Sequence, residues 1–490
     1  MASTRRIALL AALLGIAVAW AGAQAPAAKD AEKLRRADAA FHAGYAAMQA
    51  GKLEEARKQF ALAAKLAPKI PEAHEALGAV LVELNKPAEA IQEFEVALAL
   101  KPGDEAIEAN LALAELKANQ PERALRHFAA AYQASQQPGA KPEDAAFCES
   151  YARTLAAAGK LAESIELFQG AIERGGARAD LYDNIGSLYA QQANWSAALF
   201  QFQRALETDS GFVPARIHLG VVYRQQGEAK AGIPYLEGAV KLDTANAQAR
   251  LELARNLEAA NADEDSLPQL EEAVRLNPGL AGAAAELGMV LQRLGRQQEA
   301  IPWFQKAVEQ DPRNESALTN LGLALTLTGK AKEALDSFER ALAIDPNAAV
   351  IHKDLGVAHV QLSAFDEAIG DFQAALAIDP NDPQLHYDLG LAFKFKDRID
   401  EAIAELTKAG QLDPALQDPP YTLGILLMQV GRLDESVVEL RKAVALRPEN
   451  GDAWAILGST LKQDSRLDEA RDALEHAIPL LPGQPGPRVT

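Results

Sequence analysis

The feature that most constrains this 490-residue chain is a period of 34 residues. One copy runs from Glu315 to Ala348, and its apolar residues recur at helical spacing in two segments, separated by the turn Thr328-Gly329-Lys330. Gly322 lies in the middle of the first segment, where glycine costs about 1 kcal/mol relative to alanine. We therefore predict two short helices whose backbones approach each other closely at this glycine.

The same pattern recurs along almost the whole sequence. Glycine returns at 34-residue steps from Gly322, at Gly288, Gly356, Gly390, Gly424 and Gly458. All thirteen copies have an alanine at the place of Ala341, and all have Phe or Leu at the place of Phe338. A single helix pair cannot bury its own apolar stripe, so the copies predict an all-α fold in which antiparallel helix pairs stack on one another.

The pattern Leu321-Gly322…Leu325…Ala334…Phe338…Ala341…Pro346 resembles the tetratricopeptide repeat (TPR) family. This resemblance implies a right-handed superhelical solenoid whose first helices line a concave groove, and it implies protein binding rather than catalysis. We assign repeats 1–3 to residues 37–138 and repeats 4–13 to residues 145–484, with an insertion loop at 139–144 and a tail at 485–490.

Residues 1–23 have the pattern of a secretory signal peptide. Arg5-Arg6 precede an apolar run from Ile7 to Trp20, and Ala21-Gly22-Ala23 is a small-x-small cleavage site. We expect cleavage after Ala23, a linker at 24–36, and export to the bacterial periplasm or secretion. The alternative is an uncleaved N-terminal membrane anchor. We expect the protein to associate with a membrane only in that case.

Charge and cysteine content exclude some classes of function. The formal net charge is −19, and loss of Arg5 and Arg6 with the signal would make it −21. Such an acidic chain lacks the basic face that binding to nucleic acid or anionic lipid requires. Cys148 is the one cysteine, and it stands at the place of Leu318, so we expect a buried thiol and stability that comes from repeat stacking.

No catalytic or phosphate-binding motif occurs in the sequence, so we expect no enzymatic activity, no cofactor and no small-molecule substrate. The closest approach to a metal site is the set His352, His359 and His386. His352 and His359 are seven residues apart, or about 10 Å along a helix, and cannot bind one ion together. We interpret all three as histidines that fill packing positions.

The family resemblance also implies which residues face a partner. The groove residues that are most typical of hot spots are aromatic, aliphatic and methionine side chains on the first helices of repeats 10–12. The primary set is Lys353, Tyr387, Leu391, Lys394, Phe395, Tyr421, Ile425 and Met428, and a secondary set in repeat 1 is Phe41, Tyr45 and Met48. The alternative is that these side chains pack within the array itself.

The groove positions of the other repeats are mostly polar. Repeats 4–8 offer charges of both signs, namely Glu149, Arg153, Asp183, Arg224, Arg255, Glu258 and Arg293. Long glycosyltransferase arrays of the family carry a ladder of asparagines that holds a peptide backbone. Asn110, Asn184 and Asn320 match that position, but Asp354 and Asp388 are among the residues that interrupt it, so we expect no continuous ladder.

Together these features predict an exported, non-enzymatic scaffold that binds a partner protein or peptide through its concave face. The alternative function is a membrane-anchored accessory subunit of a cell-envelope assembly or polysaccharide-export machine. The sequence does not identify the partner.

Overall fold

The structure is a computed structural model that describes residues 28–137 and 144–481. Within these ranges the chain forms 26 α-helices and no β-strand. The chain divides into two compact units, Met1–Asp243 and Thr244–Thr490, which contain repeats 1–6 and 7–13. In each unit consecutive helices pack as pairs, and each pair packs on the next. The predicted all-α solenoid of helix pairs is thus confirmed.

The helices have nearly uniform lengths. Those of the first unit are α1 (Ala28–Gln49), α2 (Leu53–Leu66), α3 (Pro71–Glu83), α4 (Pro87–Leu100), α5 (Glu105–Lys117), α6 (Pro121–Ser135), α7 (Ala145–Ala157), α8 (Leu161–Gly175), α9 (Ala179–Gln191), α10 (Trp195–Thr208), α11 (Val213–Gln225) and α12 (Ala229–Leu242). Those of the second unit are α13 (Ala247–Ala259), α14 (Asp263–Leu276), α15 (Ala283–Arg293), α16 (Gln297–Gln310), α17 (Glu315–Leu327), α18 (Ala331–Leu342), α19 (Ala349–Gln361), α20 (Phe365–Ile378), α21 (Pro383–Phe395), α22 (Ile399–Leu412), α23 (Asp418–Gln429), α24 (Leu433–Leu446), α25 (Gly451–Gln463) and α26 (Leu467–Leu480).

Several predicted segments lie wholly or partly outside the described residues. These are the signal peptide at 1–23, the tail at 485–490 and the insertion loop at 139–144 except for Asp144. Asp144 caps α7 by accepting a hydrogen bond from the backbone N–H of Phe147 at 2.8 Å. Helix α1 begins at Ala28, so the described part of the predicted linker at 24–36 belongs to this helix.

The repeated glycine gives room to an aromatic or leucine side chain. A Cβ atom built on Gly322 would lie 2.6 Å from Cε1 and 2.7 Å from Cζ of Phe338, which is fully buried. The prediction that Gly322 allows two backbones to meet was therefore wrong in detail, because the ring of Phe338 fills the space against the first helix. Gly288 and Gly356 have the same relation to Phe304 and Phe372.

Polar side chains fix the turns between repeats. Asn314 caps α17 through the N–H of Ala317 at 2.9 Å. In later repeats the fourth residue of the first helix reaches back to the preceding turn, as when Trp454 donates from Nε1 to the carbonyl oxygen of Pro448 at 2.9 Å. Arg250 makes the equivalent bond to the carbonyl oxygen of Thr244 at 3.0 Å. These bonds link each helix start to the turn before it, which fixes the spacing of neighbouring repeats.

The remaining core follows the apolar stripes. Cys148 is fully buried, as predicted, beside the apolar core that contains Phe128 and Phe168.

None of the helices in residues 28–137 and 144–481 combines the length and the hydropathy needed to cross a bilayer.

Candidate protein-interaction surface

Seven of the predicted partner-binding residues occupy equivalent positions on the first helices of repeats 10–12. Counted from the start of each repeat, they are the fifth, ninth and twelfth residues of α19, α21 and α23. We call this set the α19–α23 face, and its members are Lys353, Tyr387, Leu391, Lys394, Tyr421, Ile425 and Met428. All seven are half-buried, so solvent reaches every one of them. Aliphatic, aromatic and basic side chains therefore lie together on one accessible surface.

The two tyrosines of this face also support the core. Tyr387 packs against the core that contains Phe372 and Leu389, and Tyr421 packs against the core around Leu457. Burial raises the pKa of both phenols, and the hydroxyl of Tyr387 is hydrogen-bonded to Thr422. Both tyrosines therefore pack partly within the array and remain partly accessible to solvent.

Phe395 lies beside this face. It is the last residue of α21 and is 56% exposed, and its ring stacks on that of Phe365 in α20 with 5.0 Å between centroids. The structure therefore places Phe395 at the edge of the repeats, near the turn between first and second helices.

The secondary set in repeat 1 was wrong for Phe41. This side chain is only 2% exposed and makes an edge contact with Phe60 in the core, with 5.5 Å between ring centroids. The preceding residue Ala40 stands at the place of Leu318 and is too small to fill the core position, so Phe41 fills it instead. Tyr45 and Met48 are half-buried and pack against the same core.

Most of the predicted charged groove residues in repeats 4–8 form ion pairs between or within repeats. Arg255 donates to Oε1 of Glu286 at 2.5 Å and 2.9 Å and to Oε2 at 3.1 Å, and Arg293 donates to Glu258 at 2.6 Å. Further pairs of this kind are Glu149 with Arg178 at 2.7 Å and Asp183 with His218 at 2.8 Å. These charges connect neighbouring repeats, which reduces what they can offer to a partner.

Two carboxylates next to the α19–α23 face are different. Asp354 and Asp388 are equivalent residues of α19 and α21, and both are half-buried. Burial raises the pKa of each carboxyl group above its usual value, to about 6 for Asp388. Sequence reasoning noted them only because they replace an asparagine, and otherwise regarded the acidic residues of these helices as solvated.

The three histidines have polar partners in their own repeat or in the turn before it. His386 is buried, and its Nδ1 lies 2.5 Å from Oε2 of Glu405, while Nδ1 of His359 lies 2.6 Å from Oδ2 of Asp371. Nε2 of His352 lies 3.1 Å from the carbonyl oxygen of Pro346. In the part of the chain that the structure describes, no group of three or more His, Cys, Asp or Glu residues is arranged to hold a metal ion.

Comparison with protein families identifies the repeats. The tetratricopeptide repeat model TPR_16 matches residues 41–105, 110–179, 184–249, 219–281 and 421–485, and three related models match 279–347, 359–394 and 383–416. The matches cover most of the chain, which belongs to the tetratricopeptide repeat family. No curated protein matches it.

Several solved structures are similar. The TPR protein YrrB, described as having an unusual peptide-binding site, is 28% identical, with 38% of this chain and 96% of that chain covered and a TM-score of 0.35. The C-terminal part of a TPR repeat-containing protein from Cytophaga hutchinsonii is 21% identical, with coverage of 50% and 98% and a TM-score of 0.42. The hetero-tetramer Cut9-Hcn1 of APC/C is 14% identical, with coverage of 92% and 94% and a TM-score of 0.38.

Family membership supports a general class of function. Tetratricopeptide repeat proteins are generally non-enzymatic scaffolds that bind other proteins, and the repeats support this class for the present chain.

Proposed function

We propose that the protein is an exported, non-enzymatic scaffold that binds a protein or peptide on the α19–α23 face. The observation that carries this proposal is the presence of accessible aliphatic and aromatic side chains at equivalent positions of two consecutive first helices, α21 and α23, next to Lys353 on α19. Leu391 and Ile425 occupy the ninth position of their repeats, where neither side chain is needed to fill the core. Such residues bind an apolar partner segment without prior rearrangement of the array.

Affinity capture from the native host tests this surface. The bait is the full chain, either unchanged or with Leu391→Ser and Ile425→Ser combined. The matched control combines Ile378→Ser and Val438→Ser, which removes two aliphatic side chains that are 41% and 53% exposed on second helices of the same unit. A partner that is retained by the wild type and the control but lost by the Leu391/Ile425 variant supports the proposal. Equal retention by all three baits contradicts it, and circular dichroism checks that each bait is folded.

The N-terminal sequence supports export as part of the same proposal. Arg5-Arg6, the apolar run and the Ala21-Gly22-Ala23 site together favour a cleaved signal. The second candidate, a membrane-anchored accessory subunit of an envelope assembly or polysaccharide-export machine, draws on the same apolar run used as an anchor. Mass spectrometry of the mature N-terminus distinguishes them: a terminus at Gln24 supports the exported scaffold, and an intact terminus in the membrane fraction supports the anchored subunit.

A further inference from the structure

Asp354 and Asp388 are the acidic residues of helices α19 and α21, and both are half-buried without an ion-pair partner. Asp388 accepts one hydrogen bond, from the side-chain amide of Gln384 at 2.9 Å. Asp354 has no hydrogen bond or ion pair with any residue in the described ranges, and Lys353 lies near both carboxylates without forming an ion pair within 4.0 Å. Both carboxylates have therefore lost much of their water without gaining a cation in return.

The rest of the second unit shows what this chain does with such groups elsewhere. Glu252 and Glu286 are the sixth residues of repeats 7 and 8, equivalent to Asp354 and Asp388, and both are paired with Arg255. Compensation of groove carboxylates inside the chain is thus available to this fold. Repeats 10 and 11 do not use it, which leaves two carboxylates that a cation from outside the chain can pair with.

Apolar side chains surround these carboxylates. Leu391 follows Asp388 by three residues on the same helix, so these two side chains lie on neighbouring parts of the helix surface, and Tyr387 directly precedes Asp388 in the sequence. The charge of Asp388 contributes to the raised pKa of Tyr387, which shows that the two groups are close. The other charged groups that act on Asp388 and Tyr387 are Lys353, Asp382, Asp418 and Arg447, and Asp418 is itself paired with Arg447 at 2.6 Å.

We propose that the partner segment bound by the α19–α23 face is apolar and carries Lys or Arg side chains that pair with Asp354 and Asp388. This inference rests on the proposed function and specifies the chemistry of its partner. The aliphatic part of the segment contacts Leu391 and Ile425, and a basic group beside Tyr387 gains cation–π attraction in addition to the ion pair. A partner without a basic group leaves the carboxylates desolvated and unpaired, so the surface discriminates against it.

Selection from a phage library of random 12-residue peptides, with the full chain as bait, tests this inference. The selected peptides are then synthesised, and their affinities are measured by fluorescence anisotropy for the wild type and for Asp354→Asn combined with Asp388→Asn. The matched control combines Asp336→Asn and Asp366→Asn, two acidic residues of second helices whose side chains are 76% and 69% exposed. The control removes the same amount of charge from the chain and so reports general attraction to an acidic protein.

We expect the selected peptides to be enriched in Lys or Arg beside aliphatic residues. Loss of the two carboxylates should weaken binding about tenfold or more, replacement of the peptide's basic residue by Gln should weaken it similarly, and the control should change it less than about twofold. The Asp→Asn changes remove desolvated charges, so they do not threaten folding.

The other outcomes separate the two proposals. Peptides that require Leu391 and Ile425 but show no basic preference overturn this inference and leave the proposed function intact. Equal weakening in the control shows attraction to overall charge and also overturns it. If no selected peptide depends on Leu391 and Ile425, the proposed function itself fails.

Discussion

Substitution of Gly322 by alanine tests how the helix pairs are packed. The new Cβ would lie 2.6 Å from Cε1, 2.7 Å from Cζ and 2.8 Å from Cδ1 of Phe338, whereas ordinary carbon contacts lie at about 3.5 to 4.0 Å. The ring or the helix must therefore move by about 1 Å, and such overpacking costs about 1 to 3 kcal/mol. Alanine regains about 1 kcal/mol of helix propensity. We expect a net loss of up to about 2 kcal/mol of local stability.

The matched control is Gly370→Ala. Gly370 lies inside α20, and a Cβ added there meets no atom within 4 Å. The propensity gain then stands alone, and we expect α20 to become more stable by about 0.5 to 1 kcal/mol. The two glycine-to-alanine changes, in neighbouring repeats of one chain, should thus have opposite signs.

Hydrogen exchange measured by mass spectrometry is the suitable assay, because an array of thirteen repeats does not unfold in one step. Gly322→Ala should accelerate exchange in α17 and α18 by up to about 30-fold, and Gly370→Ala should slow exchange in α20 by about 2- to 5-fold. Slower exchange in α17 and α18 of the Gly322→Ala protein would refute the packing argument, since it would show that the helices separate without cost.

Three further predictions concern burial. Burial raises the pKa of Asp388 to about 6, so the folded protein binds this proton more tightly than the unfolded protein does, and the free energy of unfolding falls as pH rises from about 4 to 6. Asp388→Asn should therefore add about 1 to 3 kcal/mol to the free energy of unfolding at pH 7.5 and little at pH 4.5. An equal effect at the two pH values would contradict this. Burial also raises the pKa of Glu115, which is fully buried at a position where most repeats have leucine. Glu115→Leu should stabilise α5 and α6 by about 1 to 3 kcal/mol at neutral pH, because Arg123 keeps its bond to Glu95. Hydrogen exchange measures this change, and a loss of stability in α5 and α6 would contradict the prediction. Phe41→Ala should destabilise repeat 1 by about 3 to 5 kcal/mol, whereas Phe395→Ala should cost less than about 1 kcal/mol of stability. Denaturant titrations measure both changes, and similar losses would refute the assignment of Phe41 to the core and of Phe395 to the edge.

The period was enough to predict the helix pairs. Small and large residues at fixed spacing leave one way to bury the stripes, so the places of Phe338 and Ala341 in the core followed directly from the repeat. The packing at Gly322 did not follow, because the sequence shows that a small residue is needed but not which atoms approach it. Ala112, at the place of Gly322 in repeat 3, is fully buried, so individual pairs adjust their spacing.

The candidate surface was harder to predict, because a family position does not fix what its neighbours do. Phe41 stands at a groove position but turns into the core, since Ala40 beside it leaves a space. Arg255 was counted as available for a partner, but it is held by Glu286 in the next repeat. Such pairing between repeats depends on side-chain reach, which a one-dimensional pattern does not contain.

Asp388 shows the opposite kind of error. Acidic residues on repeating helices are usually solvated, so nothing in the sequence pattern predicted a carboxyl group with a pKa of about 6. Its one signal was the interruption of the asparagine positions at two consecutive repeats, at Asp354 and Asp388.

The most direct test of the interaction surface is photo-crosslinking in the native host. A benzoyl-phenylalanine residue placed at Leu391 should form an adduct with a partner protein, and the same residue placed at Val438, on a second helix of the next repeat, should form none. An adduct from Val438 with none from Leu391 would show that partners bind elsewhere on the array, and would contradict the assignment of the α19–α23 face.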